Sequence, residues 1–171
     1  MCKVIEEEIS NSIMLDIVQP SITFPEIKLE KGNSLGLYTS ETELMTSYFF
    51  KLISEPEKYA KEVKINGFLA NGMNWVGRSF THIVVPQIWK DSIYNILKNK
   101  PKRRHLIFIG AKKCDINYDE LSDISTIISY YRKDCSILVI SDSFELLQAT
   151  TDRVVNMLGE PIISGSKDYF K

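Results

Sequence analysis

Residues 137–155 read ILVISDSFELLQATTDRVV. The run Cys135–Ser141 (CSILVIS) is short, apolar and rich in β-branched residues, and it ends at the polar pair Asp142–Ser143. Such a run, bounded by turn signals, reads as a strand buried on both faces. SFELLQAT (143–150) then reads as a short amphipathic helix, and DRVV (152–155) opens a further strand. Immediately upstream, HLIFIGA (105–111) is a second continuous apolar run, followed by a helical pattern over 117–133, NYDELSDISTIISYYRK. Strand, helix, strand, helix, strand predicts an α/β domain with a mainly parallel sheet and helices on both faces.

Further outward the pattern continues. SFTHIVVP (79–86) reads as a strand and QIWKDSIYNILKN (87–99) as a helix. SETELMTSYFFKLI (40–53) predicts a helix with Ser40 as cap and Glu43 in capping-box position. Its Leu44, Tyr48 and Leu52, flanked by Met45, Phe49 and Ile53, make a broad buried face. EIKLEKGNSLGLYT (26–39) predicts strand, turn at Lys31–Gly32–Asn33, strand. SIMLDIVQPSITF (12–24) carries strand formers broken by Pro20, which predicts an edge strand or one with a bend. KEVKINGFLANG (61–72) offers a short strand and a glycine-rich turn, and Gly159–Glu160 sits between VVNML and PIIS as a hairpin turn.

The 171 residues, 44% apolar and 25% charged, suit one globular domain with a real core. A net charge of −1 gives no bulk attraction to nucleic acid or anionic lipid. KNKPKRR (98–104) holds five basic residues in seven, and reads as a solvated loop beside a buried strand. No apolar run reaches the roughly 20 residues that span a bilayer, and MCKVIEEEIS has no signal-like apolar core, so a cytoplasmic location is expected. Cys2, Cys114 and Cys135 show no CxxC pair, and His82 and His105 are the only histidines. Neither a disulfide framework nor a zinc site is expected.

The order of elements and a few punctuating residues resemble the nucleotide-binding domain of the ATP-binding-cassette (ABC) ATPases, a P-loop NTPase fold, in shortened and degenerate form. The tail carries most of the likeness: ILVIS, Asp142–Ser143, FELLQAT, Asp152–Arg153–Val154–Val155, Gly159 and IISG follow the family's last strand, switch position, helix, ADRV-type strand and glycine turn. LEKGNSLGLY (29–38) is similar to the strand-turn-strand that leads into the family's phosphate loop, and FFKLI (49–53) to the end of the helix after it.

The resemblance places the phosphate loop at Thr39–Ser47, where no glycine remains and Met45 stands at the lysine position. Thr46 and Ser47 stand at the magnesium-hydroxyl position, and Glu41 and Glu43 would repel a polyphosphate at that helix end. The acidic pair that ends the central strand is replaced by Gly110–Ala111, with Asp115 or Asn117 expected only in a turn or cap. Asp142 stands at the switch-histidine position. Only about 25 residues separate the helix at 40–53 from the strand at 79–85, too few for the helical subdomain that carries the family's signature.

The resemblance therefore implies a single domain, 1–171, lacking that subdomain, with no catalytic residue, cofactor or metal. Its expected role is that of an inactive, protein-binding or regulatory subunit whose partner is another protein, an active ABC-type ATPase among the candidates. Met73, Trp75 and Phe80, in NGMNWVGRSF (71–80), are the candidate protein-binding residues; folding of Trp75 back onto the core is the competing reading. The alternatives are a nucleotide-binding or hydrolytic enzyme whose chemistry is relocated to His82, Cys114 and Asp115, or a RecA-like P-loop paralogue in nucleic-acid metabolism.

Overall fold

The computed structural model describes residues 13–70, 81–84, 106–131 and 135–157. The nine described strands form two sheets. The first is antiparallel, in the order β2 (Ile27–Glu30), β1 (Ile13–Pro20), β4 (Ala60–Ile65), β5 (Phe68–Leu69). The second is parallel, in the order β6 (Thr81–Val84), β7 (Leu106–Ala111), β8 (Ser136–Ser141), β3 (Ser34–Tyr38), β9 (Arg153–Asn156). Helix α1 (Thr42–Ser54) follows β3, and α2 (Pro56–Tyr59) is a single turn before β4. Helix α3 (Tyr118–Tyr131) joins β7 to β8, and α4 (Phe144–Thr150) joins β8 to β9.

The two apolar runs behave as their composition requires. Every residue of β7 and of β8 is buried. Alternation then splits them between two cores. Leu106, Phe108, Leu138 and Ile140 face α1 and the antiparallel sheet, joining Met45, Phe49, Leu52, Leu15, Ile17, Val63 and Ile65. Ile107, Ile109, Ile137 and Val139 face α3 and α4, joining Ile124, Ile128, Leu146, Leu147 and Val154. Phe49 stacks on Phe108 with ring centroids 4.3 Å apart, which ties α1 to the middle of the parallel sheet. Cys135, just before β8, is wholly buried among the α3 and α4 residues.

Two sequence expectations need correction, and a third is resolved between its alternatives. β1 is an interior strand, paired on both sides; the bend is real, because Gln19 takes a φ of 45° just before Pro20. Ser40 does not cap α1: the N-cap position is Glu41, with no side-chain cap bond, and Thr39 Oγ1 accepts from the Glu41 N–H at 3.1 Å instead. The face of α1 is narrower than its periodicity suggests, since Leu44 is 43% exposed and Tyr48 only part-buried. The turn α2 has too few residues to show a period, and Pro56 at its first position starts it.

The strand expected over 79–86 is described as β6, whereas the helix over 87–99, the basic run 98–104 and the hairpin around Gly159 lie outside the described residues.

Candidate functional site

Ligands of open parallel α/β sheets bind at the carboxyl ends of the strands. Here that end is formed by Tyr38–Thr39 after β3, Ala111–Lys112 after β7 and Ser141–Asp142 after β8. The Thr39 N–H donates to the Ser141 carbonyl at 3.1 Å, so the β3 and β8 ends are held together beyond the strands. The chain then enters α1, whose first residue, Thr42, is 4% exposed and whose hydroxyl has no hydrogen-bond partner among the described residues.

Met45, at the expected lysine position, lies one turn into α1 and is 4% exposed within the apolar core. A lysine there would have its cation in hydrocarbon. Thr46 is part-buried and Ser47 exposed. Thr46 lies against β7: a Cβ built on Gly110 would stand 2.6 Å from Thr46 Oγ1 and 3.1 Å from its Cγ2. Any side chain at Gly110, a carboxylate included, collides with Thr46. The two positions between which the family resemblance implies a magnesium ion are thus in direct contact.

Asp142 accepts the backbone N–H of Lys113 at 2.6 Å. It does not cap α4; Ser143 does, its Oγ accepting from the Leu146 N–H at 3.2 Å while its own N–H donates to Ser141 Oγ at 2.9 Å. One residue before Lys113, the Lys112 ammonium meets Glu43 Oε1 at 2.5 Å. The Glu43 carboxylate raises the Lys112 pKa above its ordinary 10.5, through the hydrogen bond first and the charge second, and Asp115 adds to it. Beyond them Asn117 and Glu120 form a reciprocal cap on α3, with Glu120 N–H to Asn117 Oδ1 at 2.8 Å and Asn117 N–H to Glu120 Oε2 at 3.2 Å. Asn117 is the expected cap; Asp115 stays exposed in the 3₁₀ turn Lys113–Asp115.

Glu43 was legible as a first-turn acid, but its partner Lys112 was not. No pattern in the sequence joins residues so far apart along the chain.

The backbone of His82 lies short of this end. It pairs with Ile107 in parallel register, four residues below Ala111, or about 13 Å at the rise of a parallel strand. The register therefore separates it from Cys114 and Asp115. Among the described residues no group of three or more His, Cys, Asp or Glu could hold a metal ion. Two clefts lined by described residues lie elsewhere. One, of about 380 Å³, sits at the opposite, amino-terminal ends of β3 and β9, between Lys28, Glu30, Asp152 and Arg153. The other, of about 340 Å³, lies between Pro56 and Leu69 beside the antiparallel sheet. Met73, Trp75 and Phe80 fall outside the described residues.

No family model and no curated protein matches the sequence. The fold, in contrast, is similar to that of solved structures. The cbiO1 protein of Clostridium perfringens, part of the ABC transporter complex cbiONQ, superposes with a TM-score of 0.60 at 8% identity, over 85% of this chain and 84% of that one. The chain has the ABC-ATPase fold.

An ATP-binding cassette of an ABC transporter in its ADP conformation gives 0.61 at 10% identity, over 85% and 87% of the two chains. An ATP-binding subunit of an ABC transporter gives 0.58 at 10%, over 84% and 85%. The parallel sheet with α1, α3 and α4, and the antiparallel sheet beside it, are the parts of this ABC-ATPase fold that the described residues supply. Among those residues no helix is long and apolar enough to cross a membrane.

Proposed function

We propose that this chain is a catalytically inactive ABC-ATPase-like domain that serves as a protein-binding or regulatory subunit of a larger complex. The observation that carries the reading is the contact between Thr46 and Gly110. In a phosphoryl-transfer site the magnesium ion and a carboxylate need room between these two positions. Here a side chain at Gly110 would run into Thr46, which leaves no place for that carboxylate. Burial of Met45 and engagement of Asp142 by the Lys113 amide support the same reading, since neither position offers a cation to a triphosphate. The domain is read as one unit, 1–171, without a helical subdomain.

The partner we infer is another protein, with an active ABC-type ATPase the first candidate. What supports this is the company the fold keeps: the solved structures it is similar to are subunits of ABC transporters. Two assays test the proposal together. Phosphate release from millimolar Mg–ATP should not exceed the buffer rate. The chain should elute from its native host in a complex of fixed stoichiometry; turnover by the isolated chain would overturn inactivity, and elution as a free monomer would overturn the subunit role.

A further inference from the structure

We propose that Glu43 and Asp142 form a two-point acidic clasp that locks the loop Lys112–Asn117 across the carboxyl end of the parallel sheet. The inference rests on the inactive-domain reading above and adds a conformational restraint to it. β8 lies between β7 and β3 in the sheet. Thr46 of α1 lies against Gly110 of β7, so Glu43, one turn earlier on that helix, meets Lys112 just past the end of the strand. The next residue, Lys113, is tied through its backbone N–H to Asp142 at the end of β8 itself. Two consecutive residues are thus anchored to two different elements.

Neither carboxylate serves its own helix as a cap: α1 has no side-chain cap and Ser143 caps α4. The loop between the anchors and α3 is stiff. The Asp115 N–H donates to the Lys112 carbonyl at 3.1 Å, the Ile116 N–H to the Lys113 carbonyl at 3.3 Å, and the Asn117–Glu120 cap closes the far end. A stiff segment held at two points opens as one body, so the two anchors are coupled.

Hydrogen exchange of the Lys113 amide in the full chain tests the coupling. Asp142→Ala removes its acceptor and accelerates exchange about tenfold or more, in line with a charge-assisted bond. Glu43→Gln does not touch that amide, yet the clasp requires it to accelerate exchange about three- to fivefold, the size an exposed ion pair carries. About 0.5 M NaCl should move the wild type in the same direction. Unchanged Lys113 exchange in Glu43→Gln, with the β8 amides still protected, overturns the clasp. Phosphate release from Mg–ATP by the wild type separates the two readings. Coupled exchange together with turnover would overturn inactivity and keep the clasp. Uncoupled exchange without turnover would overturn the clasp and keep inactivity.

Discussion

Thr46 occupies the space that a side chain at Gly110 would need: the added Cβ would lie 2.6 Å from its Oγ1. Replacing Gly110 by Ala should cost about 1–3 kcal/mol, the usual cost of overpacking. Thr46→Ala should recover much of it, because the colliding atoms belong to the threonine. A double-mutant cycle in urea measures the coupling, which should be clearly non-zero. Gly110→Asp, which would restore a carboxylate, should destabilise more and gain no magnesium binding.

On the opposite face of the sheet, Gly36 of β3 is under the same constraint. A Cβ there would meet Leu147 Cδ2 at 2.8 Å and Thr151 Oγ1 at 3.0 Å, both at the end of α4. Gly36→Ala should cost about 1–3 kcal/mol, read as a lower denaturant midpoint at unchanged slope.

The two serines at helix starts should behave oppositely. Ser143→Ala removes the cap bond to the Leu146 N–H and leaves that buried donor unsatisfied, costing about 0.5–2 kcal/mol. Ser40→Ala should stay within about 0.5 kcal/mol of wild type, because Ser40 is exposed and not the cap of α1. Thermal scans of the pair decide it.

That contrast shows what the sequence could and could not reveal. CSILVIS and HLIFIGA were legible as buried parallel strands because nothing but a doubly covered sheet accepts such runs. Asn117 was legible as a cap because capping is decided within a few residues. Ser40 misled for the same reason: the local signature was present, but the backbone turned through Thr39 Oγ1 and started the helix later. The interior position of β1 was hidden because Pro20 suggests an edge, while the proline falls on the last residue of the strand. The Glu43–Lys112 pair and the Thr46–Gly110 contact join elements far apart in the chain, and only packing shows them.

Alkaline pH should weaken the fold. Lys112 has a raised pKa, through its bond to Glu43, so the native state binds its proton more tightly than the unfolded chain does. That contribution is complete below the ordinary lysine value of 10.5 and is lost as pH rises through the folded value. Tyr131 is also raised, first by burial and then by Tyr130 and Cys135, so above pH 10 its ionisation favours the unfolded chain. Both effects have the same sign. Stability should be level near neutral pH and fall above pH 10, and Glu43→Gln should return the Lys112 titration, followed by NMR, toward 10.5.

Met45 offers the converse experiment. It is 4% exposed in the core, so Met45→Lys would not rebuild a phosphate-binding cation but bury an unpaired charge. The expected cost is about 3–5 kcal/mol, easing at high pH where the lysine sheds its proton. A variant as stable as wild type that bound ATP would contradict this.

The central claim is that the ABC-ATPase fold is kept here without its nucleotide. It is tested most directly by the unfolding midpoint of the wild-type chain, scanned with and without millimolar Mg–ATP and then ADP. Ligand at 100 times its dissociation constant would add about 2.7 kcal/mol to the native state, a plain rise in midpoint. The account predicts superimposable scans. A midpoint that climbs with nucleotide concentration would mean that other groups hold the phosphates, and would contradict it.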